Sequence, residues 1–369
     1  NHQLYFKYLT TIYPTSDIPE ISEGKLKINY RDAPKILYVD DEADKGWGEI
    51  MSTVLGDFNR LHLDYLDQEF NSKSQNEIID LVKMKIIKED YDVIILDFRL
   101  HAQDFNVKDI KEVTGLKLLN VIKAINPGIQ VIIFSATNKV WNMKALLEAG
   151  ADDFIIKEGI ESSLDSSFTY DTVINFIKVI EKSLNRKFLK KLFNKCETIK
   201  KQLLQADVID DTPFEDFIND LTRHLKLIST SVNNINLDDS MSLDIVFLNC
   251  YNFLEKFKNY YLKLDGNQFV LGHDEVEMNR YSSNSNKIVN DGEFIRSNTN
   301  DYPSWFNCLA GLFIDYFEVA NPNDQKILRL NTVKGFRNKY IHGKKKTFND
   351  NELLMIFDLC VEITSNVKE

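Results

Sequence analysis

The sequence predicts an α/β domain with a doubly wound, five-stranded parallel sheet, followed by a long connector helix and an all-helical bundle. Short β-branched and aliphatic runs alternate with segments whose apolar residues have helical spacing, as in a parallel sheet with crossover helices. The run Val93–Leu96 also has four apolar residues with no polar alternation. Such a run is typical of a strand that is covered on both faces.

The predicted elements of the first half follow one another in a regular order. Each apolar run is short enough to be a strand, and each is separated from the next by a helical segment. The strands are expected at 36–39, 61–66, 93–96, 131–134 and 154–156, with helices at 78–87, 116–125 and 144–149 and a helix-like segment after the first strand. Residues 1–34 contain three prolines and no sustained period, so we expect an irregular N-terminal extension.

Composition excludes several classes of protein. No apolar run reaches the roughly 18 residues of a membrane span, so we expect a cytoplasmic protein with no membrane partner. The net charge of −11 argues against a protein that coats nucleic acid non-specifically. The cysteines are far apart and form no metal-ligand spacing, so reduced, buried thiols are expected at Cys196, Cys250, Cys308 and Cys360.

Polar residues follow four of the five predicted strands. Asp40 and Asp41 follow the first strand, Asp97 the third, Ser135 the fourth and Lys157 the fifth. Because ligands bind at the carboxyl ends of parallel strands, we expect these side chains to form one site. Neighbouring carboxylates repel one another unless a cation lies among them, and such oxygen ligands suit Mg²⁺. A lysine and a hydroxyl would hold phosphoryl oxygens, so Asp97 is predicted to be a nucleophile toward phosphorus.

This order of residues resembles the receiver domain of two-component response regulators over residues 35–170. The resemblance implies a flavodoxin-like strand order and a bound Mg²⁺. It also implies that Asp97 is the phosphoacceptor and that Asp41 and Asp97 ligate the metal directly. By the same resemblance, Asp40 would act largely through water, and the Arg99 backbone carbonyl would complete the protein ligands.

The resemblance assigns further roles at the same edge of the sheet. Ser135 and Lys157 would contact the phosphoryl group, and Phe154 would be the aromatic switch residue. The phosphoryl group would come from a phosphodonor such as a histidine kinase. These roles predict a domain that receives a signal by phosphorylation.

Three departures from the receiver pattern bear on how this domain works. Residues 101–113 are an insertion beside the phosphorylation site, and this insertion could gate access. Glu158 follows Lys157 where the family has proline, and Phe154 has no hydroxyl. A degenerate receiver that only mediates contacts is therefore the alternative to a phosphorylated one.

A connector is expected between the two halves, at residues 171–209. Residues 170–206 contain no glycine or proline and predict one long helix. Its apolar residues follow two heptad runs that are out of step across Lys187. Two interpretations stay open: a signalling stalk or dimer seam, and an amphipathic helix packed on its own domain.

The C-terminal half, residues 210–369, is predicted to be mainly helical. Its first helix should begin near Pro213, because proline is favoured in the first turn. A polar insertion at 265–302 separates the helices, and its segments Gln268–Leu271 and 293–296 could pair as a hairpin. The helices are expected at about 214–236, 243–264, 304–320, 323–342 and 350–367.

A second motif lies at the end of the fourth of these helices. Arg337, Asn338, His342 and Gly343 form the pattern Arg-Asn-x-x-x-His-Gly, and the glycine suits the position just past a helix end. This pattern, late in a helical domain, resembles the R-x4-6-H motif of the HEPN superfamily (higher eukaryote and prokaryote nucleotide-binding domains). Many members are metal-independent ribonucleases that dimerise so that two motifs face one cleft.

The HEPN resemblance implies roles for these residues without a cofactor. His342 would act as general base or acid, Arg337 would stabilise the charge that develops on phosphorus, and Asn338 would orient both. Positions five apart differ by about 140° on an ideal helix, so an irregular last turn or a dimer must assemble the pair. The RNA backbone would be held by three lysines, Lys344, Lys345 and Lys346.

The two resemblances together predict a phosphorylation-regulated effector. Its receiver would control a HEPN-type endoribonuclease that cleaves RNA as a homodimer, in a stress or anti-phage response. The alternative is a non-catalytic signalling protein whose helical bundle binds a partner or nucleotide under receiver control. DNA binding is a weaker third option, because no helix-turn-helix with a basic recognition helix is evident.

Overall fold

The chain forms two compact units, Asn1–Lys190 and Lys191–Glu369. The structure is a computed structural model that describes residues 27–30, 34–45, 47–57, 59–67, 70, 72–136, 140–157, 166–206, 212–239, 241–284, 287–299 and 302–367. Glu158 and most of the predicted N-terminal extension lie outside the described residues. Among the helices that are described, none has the length and apolarity to cross a membrane.

The first unit contains the predicted five-stranded parallel sheet. Its strand order is β2-β1-β3-β4-β5, and all four ladders are parallel. This is the flavodoxin-like order that the sequence predicts. The strands are β1 Lys35–Val39, β2 His62–Leu66, β3 Val93–Leu96, β4 Gln130–Ser135 and β5 Asp153–Ile156.

Helices cover both faces of this sheet. Alternate strand residues point to opposite faces, so Leu37 and Val39 join one core while Ile36 and Tyr38 join the other. The helices are α1 Trp47–Met51, which continues as a π-helical turn over Ser52–Asp57, α2 Gln75–Glu89, α3 Thr114–Ile125, α4 Val140–Glu148 and α5 Ser166–Arg186. Helices α2 and α3 pack on the first core, and α1 and α5 on the second.

The prediction of a single connector helix is wrong. Helix α5 ends at Arg186, Lys187 forms a turn, and a second helix, α6, spans Phe188–Leu204. The break coincides with the change of heptad phase at Lys187. The apolar residues of α5 from Phe176 to Leu184 are part of the sheet's core.

The apolar heptad positions of α6 are buried within the single chain. They therefore favour the interpretation of an amphipathic helix that packs on its own protein over that of a dimer seam. These positions are Leu189, Leu192, Cys196, Ile199 and Leu203, each at most 4% exposed.

The second unit is a helical bundle that carries a β-structured insertion. The helices that follow α6 are α7 Pro213–Asn233, α8 Met241–Tyr261, α9 Trp305–Gly311, α10 Gln325–Ile341 and α11 Asp350–Thr364. A π-helical turn, Leu312–Tyr316, continues α9. All four cysteines are buried free thiols, as expected.

The predicted polar insertion at 265–302 contains antiparallel strands, more than the single hairpin expected there. Strands β6 Leu262–Asp265, β7 Gln268–Leu271 and β8 Val276–Glu277 form an antiparallel sheet, and β9 Asn279–Asn284 pairs with β10 Lys287–Phe294. The expected pairing of Gln268–Leu271 with 293–296 is reduced to one bridge, Gln268 to Arg296. The main partner of β7 is β6, because Gly266, with a φ of +53°, turns the chain directly between them.

Candidate functional site

The predicted site residues of the first unit meet at the carboxyl edge of the sheet. Backbone hydrogen bonds continue past the strand ends and fix them there. The Asp97 N–H donates to the Val39 carbonyl at 2.9 Å, and the Lys157 N–H donates to the Ser135 carbonyl at 2.9 Å. Asp40 follows β1 directly, and its N–H donates to Leu66 at 3.1 Å. The parallel sheet therefore brings the four strand ends to one place.

Three carboxylates lie together at this edge. One oxygen from each of Asp40, Asp41 and Asp97 lies within 4.8 Å of the other two. Asp40 and Asp97 are buried, and Asp41 is half-buried. The pKa of Asp41 is raised to about 7, because of burial and because the charges of Asp97 and Asp40 oppose its ionisation. Hard oxygen ligands crowded in this way fit a divalent cation such as Mg²⁺.

Lys157 balances part of this negative charge. Its Nζ lies 2.6 Å from Asp40 Oδ2 and 2.8 Å from Asp97 Oδ2, and the side chain is 7% exposed. Burial lowers the pKa of Lys157, but the charges of Asp97 and Asp40 outweigh this effect and raise it. Burial raises the pKa of Asp97 even though Lys157 opposes the shift. The ammonium therefore links the two buried carboxylates.

Two further hydrogen bonds orient the Asp97 carboxylate. The Phe98 N–H donates to Oδ1 at 2.6 Å, and the Ser135 side chain hydrogen-bonds to Asp97. Ser135 is itself 3% exposed. Phe154 is half-buried and packs against the neighbouring core. Its role as a switch residue and the metal-ligand role of the Arg99 carbonyl stay predictions.

Two residues of this site were not predicted from the sequence. The Tyr38 hydroxyl donates to Asp40, and burial together with the Asp40 charge raises the pKa of Tyr38. The signal was their separation by two residues: Asp40 directly continues β1, so its side chain points to the same side of the sheet as that of Tyr38. Gly115 donates its N–H to the Phe98 carbonyl at 3.1 Å, and a Cβ there would lie 2.3 Å from that oxygen. Only glycine fits this approach of α3 to the loop after Asp97.

The insertion at 101–113 is ordered around a buried carboxylate that was also not predicted. Asp104 is 3% exposed and lies in the first of two short 3-10 turns, Ala102–Phe105 and Ile110–Glu112. One oxygen accepts from the N–H groups of Leu100 and His101 at 3.0 and 3.1 Å. The other accepts from Gln75 Nε2 and from the N–H and hydroxyl of Thr114.

The second motif lies at the end of α10. His342 is the residue at the helix end and is exposed, and Gly343 has a φ of +67°, as its predicted position requires. Arg337 is half-buried, lies 5.3 Å from the centre of the Tyr251 ring and donates to Asn338 Oδ1 at 3.5 Å. Among the described contacts of Arg337, none joins it to His342.

The three lysines after the motif differ in their surroundings. Lys344 and Lys346 are exposed. Lys345 pairs with Glu352 at 2.9 Å and lies near the rings of Phe336 and Phe348. Lys345 is therefore engaged within its own unit, whereas the side chains of Lys344 and Lys346 are exposed to solvent.

Comparison with known proteins matches part of the first unit to a known family. Residues 73–168 match the family of response regulator receiver domains. The receiver domain of NtrX from Brucella abortus is 23% identical and matches over 40% of this chain and 97% of that one, with a TM-score of 0.28. A CheY-like receiver domain protein from Methanospirillum hungatei is 20% identical and matches over 41% of this chain and 98% of that one, with a TM-score of 0.28.

A longer NtrX structure from Brucella abortus, in complex with ATP, is 20% identical. It covers 53% of this chain, while this chain covers only 35% of that one, and the TM-score is 0.31. No curated protein matches the sequence significantly. The family match over residues 73–168, together with the strand order of the sheet, supports a response regulator receiver domain in the first unit.

Proposed function

We propose that this protein is a phosphorylation-regulated effector, in which the receiver domain controls a HEPN-type, metal-independent ribonuclease in the second unit. The observation that carries the phosphorylation step is the arrangement at the sheet edge. There, Lys157 contacts the buried carboxylates of Asp40 and Asp97, and Asp41 lies beside them. This charge pattern suits the transfer of a phosphoryl group to Asp97.

Asp97 is the nucleophile in this proposal. One carboxylate oxygen forms a bond to phosphorus, the bond between phosphorus and the donor's leaving atom breaks, and its electron pair leaves with the donor. Asp41, Asp97 and the Arg99 carbonyl would hold Mg²⁺ directly and Asp40 largely through water, and the ion would supply the positive charge that phosphoryl transfer needs. Lys157 and Ser135 then contact the transferred group, because both already contact the Asp97 carboxylate.

His342 carries the proposed cleavage of RNA. Its exposure at a helix C-terminus makes it accessible to a substrate. In one role, His342 takes the proton of the 2′-hydroxyl, whose oxygen then bonds to the adjacent phosphorus as the bond to the 5′ oxygen breaks. In a homodimer, the second copy would protonate the leaving oxygen, and Arg337 and Asn338 would position the phosphate.

The test is an RNase assay on the full chain with and without beryllofluoride and Mg²⁺ as a phosphoryl mimic. We expect cleavage by the wild type that changes with the mimic, no change with the mimic in Asp97→Ala, and no cleavage by His342→Ala. His273→Ala is the matched control, because His273 is an exposed histidine of the same unit outside the motif. Equal cleavage by wild type and His342→Ala would contradict the enzymatic proposal.

A non-catalytic bundle that binds a partner or nucleotide is the second candidate. This candidate is favoured because Arg337 already contacts Tyr251 and Asn338 of its own unit. In this case, the wild type would cleave no RNA but would bind a nucleotide or RNA, and Arg337→Ala would weaken that binding. Fluorescence anisotropy with a labelled oligoribonucleotide distinguishes the two candidates.

A further inference from the structure

The insertion after the phosphoacceptor carries a carboxylate whose contacts reach the predicted metal site. Asp104 accepts the Leu100 N–H at 3.0 Å in a buried setting. That N–H belongs to the same peptide group as the Arg99 carbonyl, which is the backbone ligand expected for Mg²⁺. The structure contains no cis peptide among its described residues, so this peptide is trans, and its C=O points opposite to its N–H.

We propose that Asp104 is a positioning residue for the metal site. By holding the Leu100 N–H, Asp104 fixes the plane of the Arg99–Leu100 peptide and directs the Arg99 carbonyl away from itself. A carboxylate on the N–H also polarises the peptide, which makes the carbonyl oxygen a stronger donor to a cation. This inference rests on the proposed function, because it assumes that the receiver binds Mg²⁺.

Asp104 is itself held rigidly enough for this role. Its second oxygen accepts from Gln75 of α2 at 2.8 Å and from the Thr114 N–H of α3 at 3.1 Å. Helix α3 begins after Val113, which makes no side-chain cap, so Asp104 serves as the missing cap. The carboxylate thus joins two helices of the receiver to the loop that follows Asp97.

The neighbouring contacts fix the rest of that loop. The Phe98 N–H donates to Asp97, and the Phe98 carbonyl accepts from Gly115 at 3.1 Å. With Leu100 held by Asp104, the peptides on both sides of Arg99 are constrained. The insertion therefore supplies the partner that orients a backbone ligand.

The test is a calorimetric Mg²⁺ titration of the metal-free full chain, with a thermal melt of each metal-free variant. Residues that orient metal ligands typically change affinity by about 10–100-fold. We expect Asp104→Ala to bind Mg²⁺ at least about tenfold more weakly than the wild type. Asp104→Asn keeps one acceptor oxygen and should fall between the two, at least about threefold weaker.

The matched control is Asp109→Ala. Asp109 lies in the same insertion and is exposed, and it caps only the second 3-10 turn through the Lys111 N–H. It should lower the melting temperature without changing Mg²⁺ affinity by more than about twofold. A loss of affinity in Asp109→Ala equal to that in Asp104→Ala would assign the effect to general loosening of the insertion and overturn the inference.

The outcomes separate the inference from the proposed function. Wild-type affinity in a folded Asp104→Ala protein would overturn the positioning role alone. If the melt shows that Asp104→Ala is unfolded, Asp104→Asn decides, and an affinity equal to that of the wild type overturns the inference. A wild type that binds no Mg²⁺ would instead contradict the proposed function.

Discussion

Lys157→Met tests the charge balance of the receiver site. Methionine has a similar length but no charge, so Asp40 and Asp97 lose the ammonium that lies 2.6 and 2.8 Å away. Both carboxylates are at most 10% exposed at their side chains, so water cannot replace this partner. Removing one member of a buried ion pair costs about 3–5 kcal/mol. For a unit of this size, each kcal/mol shifts the melting temperature by about 2–4 °C.

We therefore expect the receiver's unfolding transition in metal-free Lys157→Met to fall by about 6–20 °C. Mg²⁺ should recover part of this loss, because a cation among the carboxylates replaces the missing charge. The assay is thermal unfolding of the full chain, followed by circular dichroism, with and without Mg²⁺.

Lys182→Met is the control for the loss of a lysine ion pair. Lys182 lies 3.2 Å from Asp153, but the two side chains are 55% and 28% exposed. Exposed pairs contribute about 0–1 kcal/mol. Equal melting of the two variants, or no recovery of Lys157→Met by Mg²⁺, would refute the argument that buried charge governs this site.

Two further predictions concern the acid cluster and the second unit. Because the pKa of Asp41 is raised to about 7, its folded carboxyl holds a proton below this pH, and Mg²⁺ must displace that proton. Mg²⁺ affinity should therefore be about tenfold weaker at about pH 6 than at about pH 8, and a pH-independent affinity in calorimetry would contradict this. Lys345→Ala should lower the free energy of unfolding of the second unit, because it breaks the ion pair with Glu352, and chemical denaturation measures this loss. Lys344→Ala should leave the free energy of unfolding unchanged and weaken RNA binding, which a salt-dependent binding titration measures.

The receiver fold was predictable because its local signals agree with its tertiary structure. Runs such as Val93–Leu96 are apolar at every position, since both faces of each strand are buried. The strand ends then place Asp40, Asp97 and Lys157 at one edge without any further information. The sequence therefore predicts both the sheet and the principal residues of the site.

The features that sequence reasoning missed depend on contacts between distant segments. At Lys187, α5, which packs on the sheet, ends, and α6, whose buried apolar positions follow a different heptad phase, begins. No glycine or proline marks this break in the sequence. Asp104 is one acid among several in a polar insertion until Gln75 and Thr114 fold against it. The engagement of Lys345 likewise requires Glu352, which lies in the next helix.

Beyond the expected hairpin segments 268–271 and 293–296, the β-structure of the insertion in the second unit was missed for another reason. Its strands are short, and β10 is exposed at most of its positions. Alternation of apolar and polar residues is therefore weak there, and asparagine and serine residues suggest a loop. Pairing is instead set by tight turns such as that at Gly266.

The central claim is that Asp97 receives a phosphoryl group in a magnesium-dependent reaction. The most direct measurement is intact-protein mass spectrometry of the full chain after incubation with acetyl phosphate and Mg²⁺. We predict that the wild type gains one phosphoryl group, that chelation of Mg²⁺ prevents the gain, and that Asp97→Asn gains none. An unmodified wild type, or equal modification of Asp97→Asn, would contradict the account.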